Sequence, residues 1–220
     1  MGTDDLFKKR RKAKGKRRHE TRLPRADSIF IVTEGSKTEP AYFQALANRV
    51  IERRGGSIDV RIEGVGRGTA SLVEKAAELV SQSPKIYQHV WVVFDKDDFD
   101  DFDAAIDLAR EYGFRTAWSN QAFEYWLLLH FEYSDAALDR SDWARKLDTI
   151  FKQRGIREEG YEKNISDIYD IVTTFGNEQF AIANARRVLG NFNGRSPSGC
   201  DPSTTVYELV ELLNSFLADE

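Results

Sequence analysis

The chain has 220 residues, of which 41% are hydrophobic, and this is enough for one domain, or one domain with a small cap, around a sizeable core. No apolar run is long enough to cross a bilayer and no apolar signal segment is visible, so we expect a cytoplasmic protein without membrane partners. The formal net charge is −4, and the single cysteine, Cys200, excludes an internal disulfide and a cysteine-based zinc site.

The first 25 residues are strongly basic. They hold eleven Lys or Arg and three acidic residues, which gives +8 and leaves −12 for the rest of the chain. A basic block of this kind is typically disordered and often contacts nucleic acid. We therefore predict that residues 1–26 form a disordered tail whose candidate nucleic-acid contacts are Arg10, Arg11, Lys12, Arg17 and Arg18. A solvated tail that only aids solubility is the equal alternative.

From residue 27 the pattern alternates between strands and helices. Apolar or alternating runs predict four strands, at 28–33, 57–62, 89–94 and 114–118. Three helices are predicted between them: one with Pro40 in its first turn, one that opens near Thr69, and one over 100–112 with Gly113 as its C-terminal cap. This order predicts an α/β, Rossmannoid fold, in which helices cover both faces of a parallel sheet.

After the fourth strand the helical pattern dominates. Phe123 to Phe131 is dense in aromatic residues and leucines and predicts a buried helix. Four further helices are predicted at 141–154, 161–175, 177–190 and 203–218, and Ser203 is the expected N-cap of the last. The expected organisation is an α/β domain over 27–134 and an α-helical region over 135–220 packed on it.

Acidic residues follow two of the predicted buried strands. Glu34 comes directly after the first strand, and Asp95 and Asp97 come directly after the third. Ligands of parallel sheets bind outside the carboxyl ends of the strands, so these carboxylates should share one rim. Mg²⁺ is typically held by one or two carboxylates together with water and phosphate oxygens. The pattern therefore predicts a metal-dependent enzyme that acts on phosphates, although Asp95 and Asp97 could each be an ordinary turn residue.

Four segments resemble the RloB-like family of bacterial defence proteins. They read IFIVTEGSKTEPAYF at 29–43, VFDKDDF at 93–99, SNQAFEYWLLLHF at 119–131 and PSTTV at 202–206. The first two also resemble the acidic motifs of the topoisomerase–primase (Toprim) domain. The resemblance covers roughly residues 27–215, and its one departure is Gln121-Ala122, where a proline-containing turn is expected in many members.

The resemblance implies a Toprim-like nuclease that uses Mg²⁺ or Mn²⁺. Asp95 and Asp97 would bind metal, Glu34 would be a further ligand or a general acid/base, and Glu124 would assist. The implied role is antiphage defence by abortive infection, with RNA such as tRNA favoured over DNA as the substrate. A partner ATPase subunit is implied as well, and a homodimer is left open.

Other charged residues could serve the same site. Lys37 and Lys163 are candidate phosphate contacts, and Arg67, in a glycine-rich loop before the second helix, is a candidate nucleic-acid contact. Glu39 could extend the acidic site, but a charge at a helix N-terminus is the favoured interpretation. For Glu124 the structural alternative is a salt bridge to a Lys or Arg of the helical region.

Two alternatives to a nuclease stay open. In the first, the acidic rim belongs to a non-catalytic, regulatory subunit that binds a nucleotide or nucleic acid within an ATPase-containing defence complex. In the second, the chain is an interaction subunit whose helical region docks on an ATPase. Binding without turnover would favour the first, and ATPase binding that survives Asp95→Ala would favour the second.

Overall fold

A five-stranded sheet lies at the centre of the computed structural model, which describes residues 27–66, 68–96 and 100–218. The strands are β1 Ser28–Thr33, β2 Asp59–Gly64, β3 His89–Asp95, β4 Arg115–Asn120 and β5 Ser203–Thr204. Their spatial order is β2-β1-β3-β4-β5. The first four strands pair in parallel, and β5 pairs antiparallel with the edge of β4.

Eight α-helices flank this sheet in the part of the chain that the structure describes. They are α1 Thr38–Arg54, α2 Thr69–Gln82, α3 Phe102–Glu111, α4 Phe123–Leu128, α5 Arg140–Gln153, α6 Ile168–Phe175, α7 Glu178–Gly190 and α8 Val206–Ser215. The predicted α/β, Rossmannoid class is therefore confirmed. No helix in the described ranges combines the length and the apolar character that a membrane crossing requires.

The central strands are buried on both faces. Successive side chains of a strand point to opposite faces, so Ile29 and Ile31 enter a core with α1 and with the helices that follow β4. Phe30 and Val32 enter a second core, which α2 and α3 cover. This double burial explains why β1 is continuously apolar rather than alternating.

The predicted strands and the first helices are present with small shifts in their bounds. Strand β2 begins at Asp59 rather than at residue 57, because Gly55–Ser57 form a short 3-10 turn after α1. Gly113, with φ of +73°, follows α3 as expected. Its N–H donates to the carbonyl of Arg110, and the N–H of Phe114 donates to that of Ala109. This is the Schellman pattern that a glycine after a helix supports.

Two predictions about the last third of the chain are wrong. Helix 161–175 exists only as α6, from Ile168, because the backbone before it is bonded to distant side chains. The N–H of Tyr161 donates to Asp148 Oδ1, and the carbonyl of Lys163 accepts from the Thr38 hydroxyl. Ser203 is not a helix N-cap, because it pairs with Asn120 in the sheet, and α8 begins three residues later.

The larger core includes side chains from both predicted domains. Tyr42 of α1 packs against Tyr169 of α6 with their ring centroids 5.1 Å apart, and Tyr125 of α4 packs against Trp143 of α5 at 4.8 Å. The boundary at residues 134 and 135 stays a prediction, and the predicted tail, 1–26, lies outside the described residues.

Candidate functional site

Glu34 and Asp95 meet at the carboxyl ends of β1 and β3. The two strands are parallel neighbours, with Thr33 opposite Val93. The N–H of Glu34 donates to the carbonyl of Val93 at 2.8 Å, and the N–H of Asp95 donates to Glu34 Oε2 at 3.1 Å. The predicted convergence of these two acidic residues at one rim is therefore present in the structure.

Asp95 is the most strongly perturbed carboxyl group of this rim. Its Oδ2 accepts a hydrogen bond of 3.1 Å from the N–H of Phe123, the first residue of α4. Burial raises its pKa well above the usual range, and the nearby carboxylates of Glu39 and Glu124 raise it further. The positive charge of Arg140 opposes this shift. Asp95 thus lies where negative charge is already concentrated.

A cavity of about 230 Å³ lies in front of Asp95, and we call it the carboxylate cavity. It is lined by Gly35, Ser36, Lys37, Thr38, Glu39, Asp95, Phe123, Glu124, Lys163 and Asn164. The Glu39 carboxyl group lies against Gly35, so a Cβ at position 35 would force that side chain to move. Glu34 is not among the lining residues, and its Oε2 accepts the hydrogen bond from the N–H of Asp95 beside the cavity.

Glu39 belongs to this cavity as well as to the first turn of α1. Burial raises its pKa, the charge of Glu124 raises it further, and backbone hydrogen bonds at Glu39 and Gly35 oppose the increase. The favoured sequence interpretation, a helix-terminal charge, describes its place on α1 but misses its place in the cavity. The motif around Glu34 contained the signal, because Glu39 lies only five residues later, in the first turn of the helix that follows.

Glu124 is 4% exposed and has two partners on one oxygen. The hydroxyl of Tyr161 donates to its Oε1 at 3.2 Å, and Lys163 Nζ lies 3.3 Å from the same atom. The Glu124–Lys163 salt bridge, which was the structural alternative for Glu124, is therefore present. Glu124 nevertheless lines the carboxylate cavity as well. Burial raises the pKa of Tyr161, and the adjacent Glu124 charge raises it further, so its hydroxyl stays a donor.

Of the candidate phosphate contacts, Lys37 and Lys163 both line the carboxylate cavity. Lys37 is exposed at the start of α1, and the side chain of Lys163 is 62% exposed although it pairs with Glu124. Arg67, Asp97 and the tail residues Arg10, Arg11, Lys12, Arg17 and Arg18 lie outside the described residues.

Sequence reasoning did not single out two further residues of this region. Tyr161 fixes Glu124, and the only signal for it is its position two residues before Lys163. Arg140, the first residue of α5, donates to the carbonyl of Gln121 at 3.2 Å and acts electrostatically on Asp95. No local sequence pattern indicates Arg140, because its proximity to Asp95 depends on how α5 packs.

The donor chemistry of the cavity fits a hard divalent cation. Within residues 27–66, 68–96 and 100–218, no set of three or more His, Cys, Asp or Glu side chains is arranged to hold one metal ion. Two carboxylates and the oxygens of a phosphate are nevertheless a usual Mg²⁺ environment. The crowded carboxylates contribute to the raised pKa of Asp95 and of Glu39, and a bound cation would relieve that repulsion.

Comparison with known proteins finds a similarity to one protein family. A family model described as RloB-like protein matches residues 29–213, which is most of the chain. No curated protein and no solved structure matches the chain.

Proposed function

This chain belongs to the RloB-like family, and we propose that its carboxylate cavity is the active site of a metal-dependent phosphodiester nuclease of the Toprim type. The main support is that Asp95, at the carboxyl end of β3, lines one cavity with Glu39 and Glu124, which lie in the first turns of α1 and α4. Mutually repelling, partly buried carboxylates lower stability, and such arrangements are concentrated at functional sites.

The metal would be Mg²⁺ or Mn²⁺, held by Asp95 with Asp97, and with Glu34 or Glu124 as a further ligand. When bound, it would supply a positive charge that stabilises the charge developing on the phosphate. Two of these carboxylates are held in place by backbone amides: Asp95 accepts from the N–H of Phe123, and Glu34 accepts from the N–H of Asp95.

The other side chains would handle the proton and the substrate. Tyr161 and Lys163 hold one oxygen of Glu124, so this carboxylate is oriented to accept a proton from an attacking water. Lys37 is an exposed residue of the cavity lining, where it can contact a phosphate oxygen. Arg67 and the basic tail would guide nucleic acid towards an otherwise acidic body.

Cleavage assays on RNA and on DNA, with and without Mn²⁺, test the proposal. Asp95→Ala should lower metal-dependent cleavage by ~100-fold or more. Asp107→Ala is the matched control, since Asp107 is an exposed acidic residue of α3 that pairs with Arg110 far from the cavity. Activity that persists in Asp95→Ala would refute the proposed mechanism.

Metal binding gives a second readout that does not require turnover. Trp91 lies on β3, the strand that ends at Asp95, so its fluorescence should report a Mn²⁺ titration. We expect saturable binding in the wild type and in Asp107→Ala, and none in Asp95→Ala. Wild-type protein that binds no Mn²⁺, either alone or with a short oligonucleotide, would contradict the metal site.

The second candidate function is a regulatory subunit that binds a nucleotide or nucleic acid without cleaving it. The observation that favours it is the missing three-ligand metal group among the described residues. Saturable ligand binding without any product, with an ATPase partner present, would select this alternative. The role in antiphage defence, the preference for RNA and the ATPase partner stay predictions that rest on family resemblance.

A further inference from the structure

A second, larger cavity adjoins the carboxylate cavity. Its volume is about 750 Å³, and it is lined by Lys96, Gln121, Asp139, Arg140, Ser141, Ala144 and Lys163. Lys163 lines both cavities, so the two cavities are neighbours that share one cationic residue. We call the second one the basic cavity.

Three cations and one acidic residue line the basic cavity. The cations come from separate parts of the chain: Lys96 follows β3, Arg140 begins α5, and Lys163 lies in the irregular segment before α6. Outside the first 25 residues the chain carries a net charge of −12, so a cluster of three cations beside an acidic site opposes the local trend. Such a concentration of positive charge selects for anions.

Two of the three cations of the basic cavity interact with the carboxylates of the neighbouring cavity. Arg140 donates to the carbonyl of Gln121, and its charge lowers the pKa of Asp95. Lys163 Nζ lies 3.3 Å from Glu124 Oε1. The backbone of Lys96 is held to β4, since its N–H donates to the carbonyl of Ser119 at 2.8 Å. These contacts place the charges of Arg140 and Lys163 beside the carboxylates and fix the backbone from which the Lys96 side chain extends.

The N-terminal end of α5 adds to this anion preference. The helix has 14 residues, it begins at Arg140, and no side chain of its N-cap, Asp139, bonds to its first-turn amides. Helix N-termini favour negative ligands, and phosphate groups in particular. Ser141, in the same turn, adds a hydroxyl to the lining.

The lining also restricts the kind of phosphate ligand. Among the described residues of the basic cavity there is no aromatic ring, so nothing there offers a stacking surface for a base. The polar groups of the lining are three cations, a hydroxyl, an amide and the Asp139 carboxylate, and the cations in particular recognise a sugar–phosphate backbone rather than a base edge. Recognition in this cavity should therefore be independent of nucleotide sequence.

We propose that the basic cavity binds a phosphate of the nucleic-acid strand next to the one that enters the carboxylate cavity. The inference rests on the proposed function, because it assigns the substrate a path across both cavities. Lys96 and Arg140 contact this neighbouring phosphate, and Lys163 lies between the two phosphate positions. The site thus makes a strand of several nucleotides, rather than a mononucleotide, the preferred ligand.

Binding to a labelled single-stranded oligonucleotide in EDTA tests the inference with the full chain and without cleavage. Lys96→Ala and Arg140→Ala should each weaken binding by ~3–10-fold and reduce the slope of log K against log salt by about 0.7, as the loss of one phosphate contact predicts. The matched control is Arg145→Ala, which removes an exposed arginine from the same helix α5, where it pairs with Asp142. Equal affinities and slopes in all three variants would overturn the inference.

Competition distinguishes a strand from a free phosphate compound. A mononucleotide or inorganic phosphate should compete at least ~10-fold more weakly than a tetranucleotide, because each occupies only one of several phosphate positions. Equal competition would overturn the assignment to a strand and identify the cavity as a site for small phosphates. Thermal unfolding of each variant checks that it is folded, and Lys96 and Arg140, from different elements, provide independent variants.

The outcomes separate this inference from the nuclease proposal. Oligonucleotide binding that depends on Lys96 and Arg140, in a protein that never cleaves, would support the basic cavity and reject the nuclease. Cleavage that depends on Asp95, with binding insensitive to Lys96 and Arg140, would support the nuclease and reject this path for the strand.

Discussion

Helices α1 and α4 each contribute to two regions of the molecule, the carboxylate cavity and an aromatic interior. They contribute acidic side chains to the cavity and aromatic side chains to the interior. Helix α1 sends Glu39 to the cavity and Tyr42 to the interior. Helix α4 does the same with Glu124 and Trp126. The rings of Tyr42 and Trp126 meet at right angles, with centroids 6.4 Å apart, in the geometry that aromatic pairs prefer.

The two regions differ in the ionisable groups that they bury and in how those groups interact. In the aromatic interior, which we define by Tyr42, Trp126, His130 and Tyr169, desolvation keeps the polar groups neutral, and the pKa of His130 falls to about 4. In the carboxylate cavity, carboxyl groups repel one another although a neutral or paired arrangement would be more stable. The interior is thus arranged for stability, whereas the crowded carboxylates of the cavity lower stability, as is common at functional sites.

The largest expected effect is the loss of a ring from the aromatic interior. Trp126→Ala removes a fully buried side chain that packs on Tyr42 and His130, so the free energy of unfolding should fall by about 3–5 kcal/mol. Urea unfolding measures it, with Phe180→Ala, at a 44% exposed ring of α7, as the control that changes little. A loss below about 1 kcal/mol for Trp126→Ala would contradict the assignment of this region as the stabilising core.

His130 makes the aromatic interior sensitive to acid. Its folded pKa is about 4 because it is buried, whereas an unfolded histidine has a pKa of about 6.5. Between these values the unfolded chain takes up a proton that the folded chain refuses, so stability falls as the pH falls. This group alone should remove roughly 3 kcal/mol between pH 7 and pH 4.

His130→Gln tests this pH dependence, because the amide does not titrate and can still donate to the carbonyl of Trp126. As the pH falls from 7 to 4, the free energy of unfolding of the wild type should decrease relative to that of His130→Gln. His89→Gln, at the half-exposed histidine of β3, should show a smaller change. Parallel pH curves for wild type and His130→Gln would contradict the burial argument.

Asp95 should produce the opposite pH trend. Its raised pKa means that, above the unfolded value of about 3.9, the folded chain holds a proton that the unfolded chain has lost. Stability therefore falls as the pH rises from 4 towards the folded pKa of Asp95. Asp95→Asn should be more stable than wild type at pH 8 by about 0.5–2 kcal/mol in EDTA, and the gain should disappear near pH 4.

Thermal unfolding in EDTA at pH 4 and pH 8 measures this gain, and a gain of 1 kcal/mol corresponds to about 2–4 °C in a chain of this size. Asp107→Asn, at the exposed carboxylate of α3, controls for the removal of one negative charge. Destabilisation of Asp95→Asn at pH 8 would show that Asp95 stabilises the fold rather than serving a ligand.

Much of this contrast could be predicted from the sequence, because it depends on short, continuous patterns. The apolar runs before Glu34 and Asp95 predicted buried neighbouring strands, and parallel strands bring their following residues together. The aromatic density after Phe123 predicted a buried helix. In each case the residues that decide the structure lie within one turn or one strand of those they position.

The missed features depend on contacts between distant residues. The segment 161–167 is irregular because Asp148 and Thr38, which are 13 and 125 positions away from their partners, bond its backbone. Strand β5 has only two residues and is defined by its pairing with β4. Arg140 acts on Asp95 across 45 positions in sequence, and no local periodicity records such a contact.

The smallest expected effect concerns the hydroxyl that links the irregular segment to the cavity. Tyr161→Phe removes the 3.2 Å hydrogen bond to Glu124 and keeps the ring against Phe151, so stability should fall by about 0.5–1.5 kcal/mol. Tyr125→Phe is the matched control, because its buried hydroxyl donates to a neutral acceptor, the carbonyl of Ser134, at 2.8 Å. The stability losses of the two variants should be similar.

Of the two variants, only Tyr161→Phe should change the rate of cleavage. Without the hydroxyl, Lys163 alone orients Glu124, and the cleavage rate should fall while Mn²⁺ binding through Asp95 persists. Tyr125→Phe should cleave at the wild-type rate, since its hydroxyl contacts nothing in the cavity. If both variants lost activity in proportion to their stability, Tyr161 would be a structural residue, and the comparison would then place it with the aromatic interior rather than with the carboxylate cavity.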